Sequence, residues 1–358
     1  MTFPKRLVLA LYAATLLTGP AVAAGAKAPL LIAHRGASAD RPEHTASAYI
    51  LAIAQGADFI EPDLVVTKDG VLIDRHENEI SETTDIAGHP EFASRKTTKT
   101  VDGHALTGWF TEDFTLAELK TLRARERLPQ LRRANTAYDG KDQLLTFQEV
   151  IALAKREGKT RGRVVGVYAE LKHPTYFASI GLPMAERFVK TAKAEGLSSH
   201  DAPLFLQAFE VDILKQVRKL SKVRTVLLMD EPGAPADFVA AGSKRAFADL
   251  ATPAGLKEVA TYADGIGPAK AMIVPRDAAG RSLAPTRLVA DAHAAGLVVH
   301  PWTFRPENAF LPLELRQGAA PEVRGDMAAE IRQFIALGVD GLFTDAPGMA
   351  RPVIDAKK

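Results

Sequence analysis

Glu61 and Asp63 stand two residues apart in FIEPDLVV, and Glu170 and Lys172 repeat that spacing in YAELKH. In a strand, a period of two puts both members of each pair on one face. Carboxylates crowded on an inward face repel one another and resist desolvation unless a cation sits between them. Three carboxylates without a thiolate favour a hard, oxygen-seeking divalent cation such as Ca²⁺ or Mg²⁺. His34 and Arg35 follow an apolar run, and His76 ends the segment VLIDR. Two imidazoles beside a cation and an arginine suit general acid–base work on a phosphate ester. The Arg35 guanidinium offers a planar fork of donors for phosphate oxygens, and Gly36 permits close backbone approach. Gln207 and Phe209 in LFLQAFE, and Trp302 in VVHPWTFR, carry weaker signals that packing explains equally well. The other seven of the nine histidines read as structural.

These residues fall at the ends of short apolar runs: 30–34, 59–66, 164–171, 204–208, 225–229, 265–268, 297–302 and 340–344. Amphipathic stretches lie between most of them. EHTASAYILAIAQG has helical spacing and stops at Gly56, while Thr146 with Glu149, and Thr115 with Glu118, form capping-box patterns. Eight strands with intervening helices predict a (β/α)8 TIM barrel, in which chemistry gathers at the C-terminal ends of the strands. An open doubly wound sheet is the alternative, but no GxGxxG follows a strand. Lys68-Asp69-Gly70 predicts a hairpin after the second strand, with VLID running back antiparallel. Residues 77–145 then read as a polar insertion containing a single helix, and 306–326 as loop.

The first residues, MTFPKRLVLALYAATLLTGPAVAAGA, join Lys5 and Arg6 to an apolar run and then small residues, the pattern of a secretory signal peptide over 1–23. Cleavage is expected after Ala23 or Ala24, or at Ala26, leaving an exported chain, periplasmic or else secreted, without stable membrane insertion. Lys plus Arg number 45 and Asp plus Glu 43, and removal of Lys5 and Arg6 would bring them level. That balance speaks against a nucleic-acid partner. The absence of cysteine excludes thiol nucleophiles, thiolate metal sites and disulfides.

The strings IAHRGAS with RPEHT, GADFIEPDLVVTKDG, IDRHE, AELKHP, FLQAFE, VHPWTFR and GVDGLFTDAP occur in order from about residue 30 to 347. In these the chain resembles the glycerophosphodiester phosphodiesterase family in its longer exported form. The resemblance implies one barrel domain over 27–356, with the insertion after the hairpin. It implies hydrolysis of glycerophosphodiesters, such as glycerophosphocholine, to glycerol 3-phosphate and an alcohol. By motif position, His34 and His76 become the acid–base pair, and Glu61, Asp63 and Glu170 the metal ligands. Arg35 and Lys172 contact phosphate, Gln207 serves the substrate site, and Phe209 and Trp302 shape the glycerol side. Glu43 supports the geometry. Glu77 departs from the aspartate that commonly follows the second histidine. Two alternatives are an exported phosphodiester-binding protein without turnover and a related phospholipase-type phosphodiesterase. A sugar-processing barrel using two carboxylates fits less well, since it would not need Arg35, Lys172 or the second histidine.

Overall fold

The computed structural model describes residues 28–356; the leader expected over 1–23 lies outside them. In chain order the strands are β1 (Leu30–His34), β2 (Phe59–Glu61), β3 (Asp63–Val66), β4 (Leu72–Asp74), β5 (Thr97–Val101), β6 (His104–Gly108), β7 (Gly166–Leu171), β8 (Leu204–Ala208), β9 (Arg224–Met229), β10 (Gly265–Pro268), β11 (Val298–Val299) and β12 (Gly341–Thr344). Around the sheet they run β11-β10-β9-β8-β7-β2-β1-β12, with neighbours parallel. Helices follow the strands, as the alternation of apolar runs and amphipathic stretches requires. Backbone bonds from Asp340 N to Val299 O (3.0 Å), Phe343 N to Pro301 O (3.1 Å) and Phe304 N to Phe343 O (2.8 Å) join the two ends into a barrel. The predicted barrel is therefore the observed fold.

Several boundaries differ from the sequence reading. The run 59–66 is not one strand: Pro62, which has no N–H, separates β2 from β3. Its carbonyl still accepts from Glu170 N at 2.9 Å, so the join stays in the sheet. The run 297–302 shrinks to two strand residues ahead of Pro301. β4 pairs antiparallel with β3, as the turn predicts, with Gly70 at φ +80°. The insertion holds more than one helix's worth of structure. Its helix is only Leu116–Leu119, closed by the Thr115–Glu118 capping box, and β5 and β6 form a second hairpin. The signal for that hairpin was present: TTKTV and HALTG flank Asp102-Gly103, and both turn residues have positive φ, +47° and +84°.

Inside the barrel, Ile32, Phe59, Tyr168, Phe205, Val226 and Phe343 pack into one cluster. The Tyr168 and Phe205 rings stack 4.5 Å apart. Gly166 is needed here, because a Cβ on it would lie 2.1 Å from the Phe59 ring. The filled interior gives the rim a rigid floor. His300 is buried beside this cluster, with Nδ1 2.9 Å from the Tyr168 hydroxyl and Nε2 without a hydrogen-bond partner. Burial pulls its pKa down to about 4, with Asp340 opposing and Arg224 assisting. Between pH 6.5 and about 4 the unfolded chain takes up a proton that folded His300 refuses, so stability falls as pH falls through that window. Urea unfolding at stepped pH should show this loss, and His300→Gln should remove roughly 3 kcal/mol of it. An unchanged slope in the variant would refute the assignment.

Candidate active site

Strand register assembles the rim. His34 pairs with Glu61, Asp63 with Glu170, and Glu170 with Gln207. One oxygen from each of Glu61, Asp63 and Glu170 lies within 4.8 Å of the others, and all three residues are buried. Burial, then Asp63 and Glu170, drive the pKa of Glu61 well above the carboxylate range. Glu170 rises to about 8 through burial, against the pull of Lys172. Burial opposes ionisation of Asp63 as well, but His44, His76 and Arg35 outweigh it and hold that pKa well down. Asp63 Oδ1 and Gln207 Oε1 are buried without a hydrogen-bond partner. Three converging carboxylates with an oxygen to spare are a donor set that fits a hard divalent cation.

Cations stand around this cluster. The turn after β1 places Arg35 at φ +60° and Gly36 at φ +88°. A Cβ on Gly36 would come within 2.8 Å of the Ala48 backbone, so the turn lies directly on helix Ala46–Ala54. The Arg35 N–H donates to Glu61 Oε2 at 2.8 Å, and its guanidinium pairs with Glu43 at 3.0 Å and approaches Asp63 at 3.4 Å. Glu43 is set back from the cavity, and the same Oε2 that accepts from Arg35 also accepts from Arg127 Nε at 2.9 Å. Lys172 Nζ lies 3.0 Å from Glu170; its carboxylate neighbours outweigh burial and keep it an ammonium.

The two histidines have separate anchors. His34 Nδ1 sits 2.6 Å from Asp345 Oδ1, and Asp345 Oδ2 accepts from Arg132 at 2.6 Å and Arg305 at 3.0 Å. Arg132 also pairs with Glu307 at 2.8 Å. Burial, with help from Arg35, lowers the pKa of His34 to about 4. His76 Nδ1 lies 2.7 Å from Glu77 Oε1, and its Nε2 is 3.5 Å from Lys172 Nζ. Burial, Arg35 and Lys172 lower the pKa of His76 to about 3. Both rings are therefore neutral at pH 7 in the free protein.

Together His34, Arg35, Glu61, His76, Glu170, Lys172, Gln207, Phe209 and Trp302 line one cavity of about 240 Å³, with Leu228, Thr303, Arg305 and Phe343. Phe209 and Trp302 meet edge to face at 5.7 Å, and the Trp302 indole is fixed by a 2.8 Å bond to Gly267 O. Every cavity residue anticipated from the motifs is thus brought together, with Asp63 and Glu43 behind the wall. The sequence reading missed Asp345, Arg305, Thr303, Arg132 and the setting of His44. Asp345 stands at the end of the last strand, where position alone marks it. His44 was read as structural, and it is fully buried; its partners are Asp63 at 2.9 Å and Asp74 at 2.7 Å, so it backs a site carboxylate. Arg132 carries no local signal, since it comes from the insertion and meets Asp345 across 213 residues.

The family model for glycerophosphoryl diester phosphodiesterases matches residues 34–349. The chain belongs to this family. It is 40% identical to a glycerophosphodiester phosphodiesterase of Arabidopsis thaliana over 89% of this chain and 84% of that one. It is 28% identical to one of Haemophilus influenzae over 89% and 87%. Among solved structures, an Oleispira antarctica phosphodiesterase in complex with the product sn-glycerol-3-phosphate is similar in fold, with a TM-score of 0.59 and 20% identity over 91% of this chain and 97% of that one. A Parabacteroides distasonis glycerophosphodiester phosphodiesterase gives a TM-score of 0.56 at 18% identity, over 93% and 99%. By family and relatives the chain is a phosphoric diester hydrolase. Among the described residues no helix is long and apolar enough to cross a membrane.

Arg132 ties two buried carboxylates together, so its removal leaves Glu307 uncompensated and Asp345 with only His34 and Arg305. Arg132→Ala should cost roughly 3–5 kcal/mol in chemical denaturation. A loss below about 1 kcal/mol would contradict the assigned network.

Proposed function

We propose that the chain hydrolyses glycerophosphodiesters to sn-glycerol 3-phosphate and an alcohol, using His34 and His76 as acid–base groups and a divalent cation, Ca²⁺ in preference to Mg²⁺. The observation that carries the reading is the convergence on one small cavity of two separately anchored imidazoles, Glu61 and Glu170 with Asp63 clustered behind them, and the cations Arg35 and Lys172. Its volume lies below that of drug-sized ligand pockets, which suits a glycerol phosphate better than a diacyl lipid.

Glu61, Asp63 and Glu170 would hold the cation, which when bound supplies positive charge to the phosphodiester as its charge builds. Arg35 and Lys172 bind the phosphate oxygens and orient the phosphorus. Asp345 accepts the Nδ1 proton of His34 and leaves Nε2 basic. His34 then takes the proton from the attacking hydroxyl as the new O–P bond forms; where water attacks, glycerol 3-phosphate results directly, and where the glycerol 2-hydroxyl attacks, a cyclic phosphate forms first and a water then opens its P–O bond to the 2-oxygen, which regains a proton. The bound phosphodiester brings a negative charge that opposes the depressing effect of Arg35 and Lys172 on His76. His76 can thus carry a proton in the complex and deliver it to the leaving alcohol oxygen as the old P–O bond breaks. Phe209 and Trp302 form the apolar wall for the glycerol carbons, with Gln207 and Glu43 holding Glu61 and Arg35 in place. The leader pattern supports export to the periplasm, with a mature chain starting after Ala23 or Ala24.

Purified protein should release glycerol 3-phosphate from glycerophosphocholine. His34→Ala and His76→Ala should each lower kcat about 10²-fold or more, and near-wild-type turnover in either would overturn its role. EDTA should abolish activity, with recovery on adding Ca²⁺; indifference to chelation would remove the cation from the scheme. Export is checked by the intact mass of the periplasmic protein, and retention of residues 1–23 there would contradict cleavage.

A further inference from the structure

The insertion does more than border the cavity. Its β5–β6 hairpin turns at Asp102, and Asp102 Oδ2 lies 2.6 Å from His173 Nδ1. The other nitrogen, His173 Nε2, lies 2.9 Å from Glu77 Oε2. Glu77 sets its second oxygen 2.7 Å from His76 Nδ1, a close polar contact short of hydrogen-bond alignment that a small turn of either side chain would complete. We propose that Asp102 and His173 are positioning residues for His76, acting through Glu77 as an alternating chain of carboxylates and imidazoles. This rests on the reading of His76 as the group that protonates the leaving alcohol.

Donor counting supports the chain. A neutral imidazole has one N–H, and His173 faces a carboxylate at each nitrogen, so both contacts are hydrogen bonds only when the ring is an imidazolium. The carboxylates have the strength to hold it so: against burial, Asp102 and Glu77 raise the pKa of His173 to about 9. Glu77 is correspondingly held well below the carboxylate range. The Glu77 side chain is 41% exposed, and without His173 its rotamers would be free to swing into water. His76 Nδ1 would then lose its carboxylate neighbour, leaving the ring oriented from the Nε2 side alone, by Lys172. Backbone conformation points the same way. His173 occupies left-handed φ, +52°, an uncommon state for residues other than glycine and one that recurs where a side chain must be aimed. The hairpin has other anchors, through Lys99 to Glu112 and Asp113, and Tyr176 bonds Glu112 from the neighbouring helix. Loss of the Asp102 charge therefore leaves the hairpin docked.

The test compares glycerophosphocholine with the 4-nitrophenyl ester of glycerol 3-phosphate, whose leaving group needs no proton. Asp102→Asn should lower kcat on glycerophosphocholine about tenfold, a fraction of the full acid contribution, with KM held within about twofold. On the nitrophenyl ester it should change kcat by less than about twofold. His173→Gln should follow the same pattern. Added to His76→Ala, Asp102→Asn should cost nothing further on either ester, because the two act through one group. Unchanged kcat on glycerophosphocholine in Asp102→Asn, or a further loss in the His76→Ala background, would overturn the proposal. Failure of the underlying reading looks different. If His76→Ala itself slows both esters equally, the leaving-proton role is wrong, and the double variant alone decides whether Asp102 acts through His76. If the wild type cleaves neither ester, both readings fall together.

Discussion

Glu61, Asp63 and Glu170 set three carboxylates within 4.8 Å of one another at a rim where water is scarce. Like charges so placed cannot all ionise without compensation, and much of the surrounding structure supplies it. Arg35 bonds Glu61 through its backbone and approaches Asp63 through its side chain. Lys172 meets Glu170, and His44 backs Asp63 from within the protein. The compensation is uneven: Asp63 is held ionised while Glu61 and Glu170 are pushed upward, which is the signature of a site short of positive charge. A bound cation removes that shortage, and strand register rather than loop conformation decides where it would sit.

The imidazoles are arranged on a different principle. Each turns Nδ1 toward a carboxylate, and each carboxylate is itself held by a cationic side chain. On the His34 side the holders are Arg132 from the insertion and Arg305 from the loop after β11; on the His76 side the holder is His173. The barrel and its first hairpin thus carry the imidazoles, and the insertion supplies part of the framework that orients them.

How much of this could be read from the chain depends on the distance over which each signal acts. The ExD and ExK pairs are visible because strand period is local, and the capping boxes at Thr115 and Thr146 because they span four residues. The β5–β6 hairpin was legible in principle, through Asp102-Gly103, but its strands are largely exposed and lack the apolar alternation that marks a buried strand. Asp345 could be found by its place at a strand end. Arg132, Arg127 and His173 could not, because their roles are fixed by partners 213, 84 and 96 residues away. Glu77 reaches both His76 and His173, one with each carboxylate oxygen.

His34 and its carboxylate are separated by 311 residues, nearly the full described chain, and they meet across the β1–β12 seam where the first and last strands pair. Contacts of such sequence separation carry the largest loop-closure entropy and form late in folding. A chain still emerging from synthesis holds Glu61, Asp63 and Glu170 long before His34 has its partner. With His34 in its proposed role, the enzyme has no competent half-built form: hydrolytic power arrives only when the ring of strands is sealed.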